Sequence, residues 1–148
     1  MIKTFLLIIY LSTFSAALKV TDFFPILKLQ NQFDKKIVLP MSEDKIILIS
    51  FEKKTSQALN QFIQTKESSF LQNHHIKYIS DVSTVPLFLF KVFAQKKLKK
   101  LPFDVYLIQH KEGKSINKKQ GKISLFRLKN KKIINIQFID IKELDTFL

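Results

Sequence analysis

The chain has 148 residues, no Cys, 15 Phe, only two Gly and a formal net charge of +13. That length suits one domain with a core of its own, and the missing sulfur excludes thiol–disulfide exchange, peroxidatic cysteine chemistry, Cys-ligated zinc and structural disulfides. Of the 25 basic residues Arg127 is the sole Arg, so the surface carries diffuse positive potential rather than the planar forks that read bases or phosphates.

The first 20 residues, MIKTFLLIIYLSTFSAALKV, place one Lys before an apolar run from Phe5 to Leu11, then Ser15-Ala16-Ala17. A short apolar run followed by a small-x-small site is the layout of a secretory signal peptide. It is too short for a comfortable span of ~20 residues. Residues 1–17 are therefore expected to be a signal peptide, and residues 18–148 an exported, periplasmic domain rather than an integral membrane protein.

In the mature segment, FPILKLQNQFDKKIVLP alternates about Asp34-Lys35-Lys36 and predicts an N-terminal β-hairpin. The run DKIILISF predicts a fully buried central strand. Thr55 or Ser56 is then expected to cap a helix whose apolar positions are Ala58, Leu59, Phe62 and Ile63, with Phe70 and Leu71 continuing near its end. HIKYISD is the next strand. Ser83 or Thr84 should cap a second helix with Pro86 in its first turn. Leu87, Phe90, Ala94, Leu98 and Leu101 would share its buried face, and Lys96, Lys97, Lys99 and Lys100 would complement its C-terminal dipole.

After Pro102, FDVYLIQ predicts a strand and HKEGKSINKKQGK a Lys-rich loop. ISLFRL and IINIQFI read as strands joined by Lys-Asn-Lys-Lys, and KELDTFL as a short closing helix. The order β-hairpin, β, α, β, α, β, β, β, α implies an α/β fold with a mixed sheet flanked by helices: a right-handed parallel crossover early, an antiparallel pair late.

Three stretches make this order resemble the thioredoxin-like fold, with the N-terminal hairpin seen in peroxiredoxin-like members. IILISFEKKTSQALNQF resembles the strand-to-helix junction that holds Cys-x-x-Cys, with Ser56-Gln57-Ala58-Leu59 in its place. LKKLPFDVYLI sets Pro102 before a strand, as thioredoxins set a cis-proline beside the redox site; a trans proline ending the Lys-rich helix is the alternative. The last 26 residues resemble the terminal hairpin and helix. The resemblance implies an exported, redox-inactive member that engages a peptide or protein, with Lys53, Lys54, Thr55 and Ser56 as one lip of the contact surface and Leu101 and Pro102 as the other.

No catalytic residue, metal ligand or cofactor is assigned from the sequence. There is no Gly-x-Gly-x-x-Gly or Gly-x-Ser-x-Gly, so neither a dinucleotide cradle nor a nucleophile elbow is encoded. His74 and His75 are adjacent and would diverge in a strand, leaving His110 or Asp81 as distant partners. Glu52, Asp81 and Asp104 fall at or beside strand ends, so an enzyme using strand-end carboxylates and His, with a cofactor or metal, is an alternative. The Lys patches at 96–100, 111–122 and 129–132 carry no interleaved aromatics, which argues against nucleic acid. Electrostatic docking of the Lys-rich loop to an anionic envelope surface is the remaining alternative.

Overall fold

The computed structural model describes residues 17–148, so most of the expected signal peptide lies outside the described residues. Seven strands form one mixed sheet in the order β2-β1-β5-β4-β3-β6-β7. β1 (Leu27–Asn31) and β2 (Lys36–Leu39) are the expected hairpin. β3 (Ile46–Ser50) is buried at every position, as its uninterrupted Ile-Ile-Leu-Ile run predicts. Burying each such side chain contributes about 1.5–3 kcal/mol. β3 runs parallel to β4 (Ile76–Asp81), and β4 parallel to β5 (Tyr106–Ile108). β6 (Ile123–Lys129) lies antiparallel to β3 and is joined to β7 (Lys132–Ile139) by a tight turn. Asn130 and Lys131 both take positive φ there, the backbone a two-residue hairpin loop needs.

Side chains alternate along β3 between two cores. Ile46 and Leu48 join the first with Leu59 and Ile63 of helix α1 (Lys53–Gln64), Phe90 and Leu144. Ile47 and Ile49 join the second with Phe24, Leu29, Ile108, Ile116 and Phe126. The helices thus share one face. β3, β4 and β5 step across the sheet in one direction, so both right-handed crossovers emerge on the same side. The other face is covered by the chain around Phe24 and by the 109–122 loop through Ile116.

Three expectations are corrected. α1 begins at Lys53 with Glu52 as its N-cap, and no side chain caps it; Thr55 and Ser56 lie inside the first turn. It also ends at Gln64, and Phe70 and Leu71 belong to a separate short helix, α2 (Phe70–Asn73). The second helix starts at Leu87, after Pro86, and again without a side-chain cap; Ser83 bonds to Asp81 instead. That helix, residues 87–98, holds a π-helical turn at Phe90–Ala94 between α-helical Leu87–Leu89 and Gln95–Leu98. Of the two readings left open for Pro102 the trans one holds: among the described residues the cis X–Pro bond is Leu39–Pro40.

A buried amide ties the sheet to this helix. Gln32 is fully buried; its Nε2 donates to Phe103 O at 2.7 Å and its Oε1 accepts from Val105 N at 2.9 Å. Gln95 Nε2 donates to the Gln32 carbonyl at 3.0 Å. Among the described residues no helix is long and apolar enough to cross a membrane.

Candidate functional site

The junction between β3 and α1 sits at the C-terminal rim of the parallel strands. Ser50 closes β3 and Ser80 stands opposite it in β4. Ser56, from the first turn of α1, reaches down between them. Its Oγ lies 2.6 Å from Ser50 Oγ and 2.9 Å from Ser80 Oγ. The Tyr78 hydroxyl donates to the Ser56 carbonyl at 3.4 Å. Burial pushes the Tyr78 phenol up to about 12, with the three serine hydroxyls partly opposing it.

A hydroxyl acts as a nucleophile when a base takes its proton and a preorganised oxyanion site faces it. Here Ser56 Oγ exchanges hydrogen bonds with two other serines, and neither a His nor a carboxylate is among its partners. The cluster is neutral and internally satisfied. It fills the space under the first turn of α1 where the resemblance expects sulfur.

Lys53 and Lys54 are exposed above this cluster, while Thr55 and Ser56 are half-buried. Thr55 Oγ1 donates to the Glu52 carbonyl at 2.9 Å, and Ser56 N donates to the same carbonyl. The loop that faces the junction is the one entering β6, not the one entering β5. Gly121, left-handed at φ +71, donates its N–H to Glu52 Oε1 at 2.7 Å. Lys118 places its ammonium 5.5 Å from the Phe51 ring centre. Beside the junction, the ends of β4 and β5 frame an apolar slot of about 300 Å³ between Val82–Leu87 and Gln109–His110.

Leu101 and Pro102 are not part of this surface. They precede β5, whose Tyr106 pairs with Ile79, so they stand at the opposite, N-terminal end of the parallel strands. The expected second lip is therefore corrected. The topology puts Val82–Pro86 and the 109–122 loop next to Lys53–Ser56. Sequence spacing alone could not tell which loop returns to which end.

Leu101 and Pro102 instead line a cleft of about 710 Å³ at that far end, with Asp44, His75, Asp104 and Tyr106. Asp44 is almost fully buried, and its Oδ2 accepts from Met41 N at 2.7 Å. Its Oδ1 lies at ion-pair distance, 3.5 Å, from Lys77 Nζ but makes no hydrogen bond. Burial raises the Asp44 carboxyl above its ordinary 3.8, against the Met41 N–H and the Lys77 charge. Tyr106 is pushed up to about 12 by burial and then by the charges of Asp104 and Asp44.

The remaining candidates scatter. His74 caps α2 and His75 takes φ 53 in the turn before β4, so neither enters a strand; His110 is at the other end of the sheet. Asp81 accepts from Ser83, Asp104 from Asn31, and Glu52 from Gly121. Among the described residues no three His, Asp or Glu side chains converge as metal ligands would.

No family model matches the sequence, and no curated protein matches it. Among solved structures the chain is similar to a conserved protein of unknown function from Bacteroides fragilis, with TM-score 0.60 at 6% identity over 87% of this chain and 98% of that one. It is similar to a peroxiredoxin-like protein from Aquifex aeolicus, with TM-score 0.55 at 11% identity over 90% of each chain. It is also similar to the thioredoxin domain of a thiol-disulfide oxidoreductase from Bacteroides vulgatus, with TM-score 0.55 at 13% identity over 88% of this chain and 99% of that one. At such identities the likeness is one of fold: the chain has the thioredoxin-like architecture, without cysteine.

Proposed function

We propose that this chain is an exported, redox-inactive thioredoxin-like protein that works as a binding or accessory module for an extended peptide or protein segment. The observation that carries this reading is the Ser50–Ser56–Ser80 cluster, whose hydroxyls are bonded to one another at 2.6 and 2.9 Å. With no reactive group at the junction, what the rim offers is contact area. Lys53 and Lys54 stand on one side of it, and the slot beside Val85 and Pro86 on the other. Open α/β sheets take ligands at the carboxyl ends of their strands.

Export rests on the signal-peptide layout of residues 1–17, and the fold gives the next residue a place. Leu18 is clamped at both backbone groups by Asn117, which accepts its N–H at 2.8 Å and donates to its carbonyl at 2.9 Å. This is the residue after the expected cleavage point. Sequencing of the chain recovered from the producing cell's periplasm is expected to start at Leu18; an intact N-terminus in the cytosol would reject export.

The binding reading is tested by peptide selection on the purified chain. Lys54→Glu combined with Val85→Asp should lower retention of selected peptides at least ~10-fold, whereas Pro102→Ala should leave it unchanged. Equal retention by the rim double variant would remove the rim as the binding site.

A further inference from the structure

The 87–98 helix turns a hydrophobic surface to water. Phe88 is 73% exposed, Phe93 63%, Leu87 50%, Leu89 44% and neighbouring Val85 38%. The inner side of the same helix is well packed: Phe90 is buried, and Ala94 and Leu98 lie against the first core. The ridge is thus a second apolar face that the domain itself does not cover. A contiguous exposed patch of this kind marks an interaction surface.

Its charge pattern favours one class of partner. The next turns along the ridge carry exposed Lys91, Lys96, Lys97, Lys99 and Lys100, and no acidic residue occurs between Asp81 and Asp104. Protein interfaces also favour exposed Phe, but they are depleted in Lys and their strongest anchors are Arg, Tyr and Trp, none of which occurs between residues 82 and 101; the Lys cluster therefore decides between the two. Exposed Phe and Leu followed along the same helix by clustered Lys is a combination suited to a membrane interface, where the rings enter the boundary and the ammoniums meet headgroups. Lys stems can lie along the acyl boundary while their ammoniums reach anionic headgroups. The 111–122 loop lacks this combination. Its Ile116 is buried, Lys118 lies over Phe51, and Lys122 pairs with Asp140 at 2.6 Å.

We propose that the 87–98 helix docks the domain on an anionic lipid bilayer, with Phe88, Leu89 and Phe93 entering the headgroup–acyl boundary and the Lys91–Lys100 lysines holding anionic headgroups. The ridge begins at Val85 and Leu87, which also line the slot at the rim, so bilayer docking and occupation of that slot would compete, while Lys53–Ser56 is not part of the ridge.

The chain has no Trp, which allows a local reporter. Phe88→Trp in the full chain should blue-shift on vesicles of phosphatidylcholine with about 30 mol % phosphatidylglycerol. Brominated acyl chains should quench it, and phosphatidylcholine alone should do neither. Phe93→Trp should repeat the result, which guards against one misfolded variant. Ile134→Trp, exposed on β7, is the reporter that should stay unmoved. Adding Lys96→Glu and Lys97→Glu, or raising salt to ~0.5 M, should weaken partitioning at least ~10-fold. The apolar residues 5–11 could carry the chain to vesicles by themselves, but bromolipid quenching at position 88 requires that ring to be in the boundary. The proposal is overturned if both helix reporters ignore anionic vesicles, respond equally to neutral ones, or move no more than Ile134→Trp. It is equally overturned if they shift with protein concentration alone, which would make the ridge a contact between copies of the chain.

Discussion

The two ends of the parallel strands solve the burial of polar groups in opposite ways. At the C-terminal end Ser50, Ser56 and Ser80 bury hydroxyls that satisfy one another within 2.9 Å. At the N-terminal end Asp44 buries a carboxylate whose Oδ1 has Lys77 at 3.5 Å and no hydrogen bond. Mutual hydroxyl bonds hold neutral groups at little cost, while a buried charge depends on its partner. The end where thioredoxin-like architecture suggests chemistry is therefore uncharged within, and the buried charge sits at the other end. The two ends should answer differently to substitution and to pH.

The largest difference is expected from Lys77→Met, which removes the cation nearest Asp44. Stranding a buried charge costs on the order of 3 kcal/mol, and urea denaturation near neutral pH should show a loss of that size. The sign with pH follows from the raised Asp44 value. The native state holds the proton longer than the unfolded chain, so this group's contribution is most favourable in acid. It declines as pH rises from the ordinary 3.8 through the native value. The Lys77→Met penalty should therefore shrink on acidification. A penalty that is flat with pH would mean that Asp44 is not charged in the native state.

The phenols sharpen the same comparison at alkaline pH. Tyr78, under the rim, and Tyr106, in the far cleft, are both pushed up to about 12. The native state keeps protons that the unfolded chain releases from its ordinary 10.0, so stability should fall as pH rises from that value toward 12. Only Tyr106 feels the Asp44 charge. Asp44→Asn should lower its titration in a Tyr78→Phe background, and leave Tyr78 in place in a Tyr106→Phe background, as read by tyrosinate absorbance. A matching shift at Tyr78 would mean that the two ends are electrostatically one site.

How much of this was legible in the sequence differs between the ends. The strand that carries Ser50 announces itself as an uninterrupted apolar run, and the hairpins by their alternation and turns. The serine cluster left a trace that spacing could have found: two neighbouring apolar strands each carry Ile-Ser at or next to the C-terminal end, Ile49-Ser50 closing β3 and Ile79-Ser80 just before Asp81 in β4, which parallel register sets side by side. The Asp44–Lys77 pair left none, because it depends on how the chain entering β3 packs beside β4. Pro102 misled because it precedes a strand, yet that strand starts at the wrong end of the sheet. Leu87 was expected on the buried face of its helix and is half exposed. Simple helical spacing placed it there, and neither the Leu87 start nor the π turn that follows was legible.

At the rim, Ser80→Ala should cost about 1 kcal/mol, the usual net worth of one hydrogen bond. Ser56 keeps its bond to Ser50 at 2.6 Å, so nothing charged is stranded and the loss should be the same at pH 5 and pH 8. A loss that changes across that range would give the rim a titrating group and erase the contrast with Asp44.

The smallest effect is expected at Thr55. Sequence pattern offered it as a helix cap, and losing a cap typically costs ~1 kcal/mol. In the fold the helix starts two residues earlier, and the Thr55 hydroxyl only adds a second donor to a Glu52 carbonyl that already accepts from Ser56 N. Thr55→Ala should therefore stay within about 0.5 kcal/mol of the parent, as surface changes do. A loss of a full cap's size would place the start of α1 at Thr55 or Ser56. Ser56 would then be turned away from Ser50 and Ser80, and the closed hydroxyl cluster that separates the rim from the charged end would not exist.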